Sequence, residues 1–154
     1  MKGTRSAGLL LFRHTAQGIE VLLGHMGGPF FARRESGAWT VPKGEYDPAE
    51  PAWEAARREF REELGLAPPD GKAIALGEVR QAGGKTVTAW AVEADLDPAA
   101  VVPGTFTMEW PPRSGRTAEF PELDRVAWFP LDRAREVIVS AQSAFLDRLA
   151  EHSP

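Results

Sequence analysis

The sequence predicts an α/β (α+β) fold in which a mixed β-sheet lies between helices. Three patterns carry that expectation. Two short apolar runs near the start are split by a glycine-ended loop, a strongly amphipathic segment covers Pro51–Leu64, and further strand-like runs lead to a second amphipathic stretch. Residues 1–154 read as one domain, because about 100–200 residues suffice for a domain and no repeat or long linker interrupts them.

Ala7–Arg13 (AGLLLFR) and Ile19–Met26 (IEVLLGHM) are the first strands, joined as a hairpin through His14–Gly18. Gly27–Gly37 reads as a long loop carrying Phe30, Phe31, Arg33 and Arg34, and Ala38–Val41 as a short strand that stops at Pro42-Lys43-Gly44. In Pro51–Leu64 the residues Trp53, Ala56, Phe60 and Leu64 recur at helical spacing on one face. Asp47-Pro48 supplies a start signal for that helix and Gly65 a stop. Lys72–Gln81 and Lys85–Leu96 are strands joined around Gly83-Gly84. Phe106–Trp110 and Arg125–Phe129 are two more, separated by a loop rich in Pro, Gly and Arg. Leu131–Ala150 closes the chain as one helix, with Leu131, Ala134, Ile138, Ala141, Phe145 and Leu149 on a stripe.

Composition narrows the function classes. Hydrophobic residues are 43% and charged residues 26%, which excludes disordered and collagen-like chains. The longest apolar run falls far short of the roughly 20 residues of a membrane span, and no signal peptide is visible, so a soluble cytoplasmic protein is expected. The absence of cysteine removes disulfides, thiolate nucleophiles and cysteine metal sites. A net charge of −4 argues against broad capture of nucleic acid, no membrane partner is expected, and the chain is read as a monomer or homodimer.

The first helix shows acids beside its apolar stripe. At about 100° per residue, Glu62 and Glu63 fall about 60° and 40° on either side of Glu59, at the margin of the buried face. Like charges at this spacing cost a few tenths of a kcal/mol per pair, which a bound cation would relieve. Taken alone, the interleaved Arg57, Arg58 and Arg61 favour an ordinary salt-bridged helix.

The wider spacing decides between these readings. Gly44, Glu50, Arg58-Glu59-Phe60, Glu62-Glu63 and Gly65-Leu66 reproduce GX5EX7REUXEEXGU, with U bulky and apolar. At about 7% usage per residue, such a match arises by chance roughly once in 10⁹ starts. The chain therefore resembles the Nudix hydrolase family, and the flanking order of elements is similar to that family's α/β/α sandwich. The stretch SAGLLLFR…AWTVPKG is most similar to the diadenosine-polyphosphate hydrolase and nucleotide pyrophosphohydrolase branch. That branch places a base-stacking tyrosine after the motif, whereas the sole tyrosine here, Tyr46, lies within it. The signals of ADP-ribose hydrolases, expected near Gln81–Gly84, and of NADH pyrophosphatases are missing.

The resemblance implies hydrolysis of a pyrophosphate bond in a nucleoside diphosphate-linked substrate, a dinucleoside polyphosphate or a nucleoside triphosphate, with Mg²⁺ or Mn²⁺. It implies Glu59, Glu62, Glu63 and the backbone carbonyl of Lys43 as metal ligands, with Glu59 or a hydroxide it poises as general base. Arg58 would orient the acids, Glu50 would pin the loop to the helix, and Gly44 and Gly65 would shape the turns. A fourth acidic ligand is expected before the last strand, at Glu122 ahead of Glu119. For substrate, Phe30, Arg33 and Arg34 in one loop and Arg113 and Arg116 in WPPRSGR are the aromatic and phosphate-clamping candidates. His14, His25 and His152 are too scattered for a metal site and are read as structural. The competing readings are a non-catalytic nucleotide-sensing module on the same fold and an RNA 5′-end pyrophosphohydrolase.

Overall fold

The computed structural model describes residues 4–152. β1 (Arg5–Thr15) and β2 (Gly18–Met26) form the expected antiparallel hairpin. Beside them run β3 (Trp39–Thr40) and β4 (Lys43–Glu45), then α1 (Ala52–Leu64), β5 (Ala73–Arg80) and β6 (Thr86–Glu93). A separate ribbon of β7 (Thr105–Glu109) and β8 (Thr117–Pro121) precedes β9 (Leu123–Pro130), α2 (Leu131–Val137) and α3 (Ser143–His152). The main sheet has the order β3-β2-β1-β6-β5, with β4 paired to β1 and β9 to β2. β1 and β6 run parallel and the other pairs antiparallel, so the sheet is mixed.

Both faces of the sheet are covered, which is why β1 is buried without alternation from Ser6 to Phe12. Leu10, Phe12, Val21 and Leu23 pack toward Ala134, Val137, Phe145, Leu146 and Leu149 of α2 and α3. Ala7, Leu9, Leu11 and Leu22 face the other way, onto Ala55, Ala56, Phe60 and Leu64 of α1. Each fully buried Leu or Phe contributes about 1.5–3 kcal/mol. The expected stripe of α1 thus faces the sheet, with Trp53 half-buried and edge-on against Trp90 of β6 at 5.3 Å.

Four expectations need correction. The helix runs where expected, but Asp47-Pro48 is not its start signal. Asp47 Oδ1 accepts from the Ala49 amide at 2.8 Å in a turn, and the helix begins behind Pro51, whose lost N–H costs a helix start nothing. The closing helix is not continuous from 131 to 150. Ile138 and Val139 are extended, Ile138 bridges Trp39, and the Val139 amide donates to the Trp39 carbonyl at 2.8 Å. Two adjacent β-branched residues hold a helix weakly, and the sheet edge offers them a partner. The loop after Trp110 gives way to β8, which pairs with β7 from Glu109↔Thr117 to Thr105↔Pro121. Pairing also resumes at Lys43 after Pro42 instead of ending there. Among the described residues, no helix is long and apolar enough to cross a membrane.

Candidate active site

The site is built where β4 meets α1. The side chain of Glu59, buried at 8% exposure, lies over the backbone of Gly44, where a Cβ would collide with its carboxylate. Glycine at this position is therefore a steric requirement of the carboxylate's location. At the other end of α1, Gly65 takes φ 69° and its amide donates to the Arg61 carbonyl at 2.8 Å, ending the helix.

Arg58 links three acids. Its Nε and one terminal nitrogen donate to the two oxygens of Glu50 at 2.8 and 2.9 Å, a forked pair that ties the 46–51 turn to the helix. The other terminal nitrogen donates to Glu59 at 2.8 Å and to Glu62 at 3.1 Å. Hydrogen bonding from Arg58 holds the Glu50 carboxyl below its ordinary value.

Glu59, Glu62 and Glu63 share one cavity of ≈600 Å³ with Lys43, Lys85 and Glu122. Glu122 arrives there through backbone constraints. Its amide donates to the Gly104 carbonyl at 2.7 Å, and its carbonyl accepts from the Gly27 amide at 2.9 Å. That second contact requires glycine, since a Cβ on Gly27 would strike the Pro121 carbonyl. A bulge between His25 and Met26 lets Leu123 follow Arg125 in register, leaving Asp124 free to bond His25.

The electrostatics of this cavity are those of crowded carboxylates beside two lysines. Burial, then the neighbouring Glu122 and Glu59, push the Glu63 carboxyl up to about 8. Burial likewise raises Glu59, opposed by Arg58, and raises Glu122, opposed by Lys43. Lys43 is pushed down by burial, with Glu63 acting against the shift. Among the described residues, Glu63 and Glu122 accept no side-chain hydrogen bond, and Lys43 and Lys85 form no ion pair.

The donor set suits a hard divalent cation, which takes carboxylate and carbonyl oxygens. Gly44 clears the space in which the Glu59 carboxylate stands against the Lys43–Gly44 backbone, and Glu63 and Glu122 offer oxygens free of other partners. Among the described residues no three acids are gathered around one point.

The substrate-loop candidates lie elsewhere. Phe30, Arg33, Arg34, Arg113 and Arg116 do not line this cavity. Phe30 packs edge-on against Trp110 at 5.6 Å, joining the two loops, while Arg34 stacks over Phe31 and its carbonyl binds His25 Nε2 at 2.6 Å. Arg113 sits at φ 63° in an exposed turn, and Glu119 is exposed on β8 outside the cavity. His25, fully buried between Asp124 and Arg34, anchors the loop, as a structural histidine should. Sequence reasoning missed Lys85, Gln81 and the Lys43 side chain, all on the cavity wall. Only topology brings the β5–β6 turn to α1, and no local pattern marks a lone lysine after two glycines.

Comparison with known proteins agrees with this fold. A profile described as the NUDIX domain matches residues 2–149. The asymmetrical bis(5′-nucleosyl)-tetraphosphatase of Caenorhabditis elegans is 40% identical over 62 residues, 40% of this chain and 41% of that protein, so the likeness spans less than half of that relative. A crystal structure of a C. elegans Ap4A hydrolase binary complex superposes with a TM-score of 0.68 at 24% identity, covering 97% of this chain and 96% of that one. The NUDIX domain of Shewanella oneidensis NrtR, complexed with ADP ribose, superposes with a TM-score of 0.66 at 17% identity, covering 99% and 89%. The mixed sheet and helices are thus those of NUDIX structures.

Proposed function

The chain belongs to the NUDIX domain family, and on that premise we propose that it is a divalent-metal-dependent pyrophosphohydrolase. Its substrate is a nucleoside diphosphate-linked molecule, a dinucleoside polyphosphate or a nucleoside triphosphate. The observation that carries this reading is the single cavity holding Glu59, Glu62, Glu63 and Glu122 beside Lys43 and Lys85. Carboxylates alone would repel a polyphosphate, and lysines alone would bind it without activating water. The name of the partial relative and that of the C. elegans structure favour a dinucleoside tetraphosphate.

Glu59, Glu62, Glu63, Glu122 and the Lys43 carbonyl would hold Mg²⁺ or Mn²⁺, which when bound neutralises phosphate charge and acidifies water. Arg58 keeps Glu59 and Glu62 oriented through the bonds described above and is itself fixed by Glu50. Glu59, raised by burial, takes the proton of the attacking water as its oxygen bonds to phosphorus. The bridging oxygen leaves with the departing phosphate. Lys43 and Lys85 stabilise the negative charge on the non-bridging oxygens.

The test is phosphate or nucleotide release with Mg²⁺ and with Mn²⁺ from diadenosine tetraphosphate, nucleoside triphosphates, ADP-ribose, NADH and 5′-triphosphate RNA. Metal-dependent cleavage that Glu63→Gln abolishes is expected. Turnover of none of these substrates, with folded protein, would refute the proposal.

A further inference from the structure

A second cavity of ≈490 Å³ adjoins the acid-bearing one, and the two share Thr4 and Glu45. The β5–β6 turn borders both: Gln81 and Lys85 face the first, Arg80, Gly84 and Thr86 the second. Strand register explains what the second cavity contains. Arg5 on β1 stands beside Thr86 on β6, and Thr86 stands opposite Arg80 on β5. Residues aligned across adjacent strands point to one face, so the two arginines flank the Thr86 hydroxyl from roots about 10 Å apart. Tyr46 extends the same row, its amide donating to the Arg5 carbonyl at 3.1 Å, and with Pro48 it forms the less polar wall.

Neither guanidinium group forms an ion pair among the described residues, which is true of Arg33, Arg34, Arg61, Arg113, Arg116 and Arg148 as well; what sets Arg5 and Arg80 apart is that both line one cavity. The one carboxylate lining this lobe, Glu45, lies on the boundary with the acid-bearing cavity. Two unpaired, like-charged groups on one face repel each other, and an anion between them relieves that repulsion. Arginine forks match phosphate oxygens bidentately.

We infer that this lobe is a distal phosphate subsite: Arg5 and Arg80 bind a phosphate of the substrate beyond the bond being cut, with the group attached to it lying along Tyr46 and Pro48. The inference rests on the proposed pyrophosphohydrolase reading and makes it more specific, since it selects long polyphosphate chains over a simple pyrophosphate diester.

The experiment uses the double variant Arg5→Ala/Arg80→Ala and the single charge reversal Arg80→Glu, both at exposed positions and both checked by thermal unfolding. Inorganic tripolyphosphate binding to the metal-free protein is measured by calorimetry, and kcat and KM are measured for diadenosine tetraphosphate and ADP-ribose. Tripolyphosphate affinity should fall at least about tenfold in both variants. The tetraphosphate KM should rise about tenfold with kcat within about twofold, while the ADP-ribose KM stays within about twofold. Tripolyphosphate affinity within about twofold of the parent, or an equal KM rise for both substrates, would overturn the subsite. If the parent protein cuts neither nucleotide but tripolyphosphate binding is still lost in the variants, the hydrolase reading falls and the anion subsite stands.

Discussion

Gly44→Ala tests the geometry of the site with a single added methyl group. A Cβ there would sit 2.6 Å from Glu59 Oε1 and closer still to Oε2 and Cδ, whereas ordinary van der Waals contact begins at 3.4 Å. Gly44 does not have a positive φ, so the added atom brings steric conflict and no backbone strain. The carboxylate must then retreat by more than about 1 Å, since Oε2 and Cδ lie closer than Oε1, and a displacement of about 1 Å at a reacting group costs about 10²-fold in rate. The destabilisation should stay near the lower end of the ~1–3 kcal/mol of overpacking, because the atoms that yield end a side chain. Steady-state kinetics with Mg²⁺ and a denaturant titration read the two quantities. A folded variant that keeps kcat within about twofold of the parent would refute the placement of Glu59 against the Gly44 backbone.

Other consequences follow from the same contacts. Arg58→Lys keeps the charge but loses the fork onto Glu50, so kcat should fall about 10–100-fold, and unchanged kcat would show that Arg58 does not orient the acids. Gly65→Ala places a side chain at φ 69° with its Cβ 2.5 Å from the Val102 carbonyl, and should cost about 1–3 kcal/mol in thermal unfolding. The folded Glu63 carboxyl, at about 8, lies above its ordinary 4.5, so the folded state binds the proton more tightly than the unfolded one. The metal-free protein should lose stability as pH rises from about 4.5 to about 8, and Glu63→Gln should flatten that slope in melting temperatures across the range. Replacing Arg113 and Arg116 together by alanine should leave KM within about twofold, since neither lines the cavity, and a tenfold rise would return that loop to the site.

How much was legible in the sequence depended on whether the signal was local. The β1–β2 hairpin, α1 and its Gly65 stop are set by periodicity and by residues a few positions apart, and the structure has them where expected. The closing helix broke because Ile138 and Val139 found a partner in Trp39, a contact across 99 positions that no helical wheel contains. Strand β8 stayed hidden because a Pro/Gly/Arg-rich approach masks TAEFP, whose pairing depends on β7. The same division holds at the site. The acids of α1 announce themselves by spacing, and Glu122, at a greater distance, was reachable through its place before the last strand. Lys85, Arg5 and Arg80 carry no local mark, since only the register of three strands unites them. Phe30, Arg33, Arg34, Arg113 and Arg116 had suitable chemistry, but Phe30 packs against Trp110 and none of the five lines the acid-bearing cavity.

The account stands on the carboxylates of α1 holding a divalent ion, and Mn²⁺ binding measured by electron paramagnetic resonance tests that without needing a substrate. The parent protein should bind Mn²⁺ with saturation, and Glu63→Gln, folded and at least as stable at neutral pH, should bind it at least about tenfold more weakly. Equal Mn²⁺ affinity in the two proteins would contradict the assignment of Glu63, and with it the reading of this cavity as a metal-dependent active site.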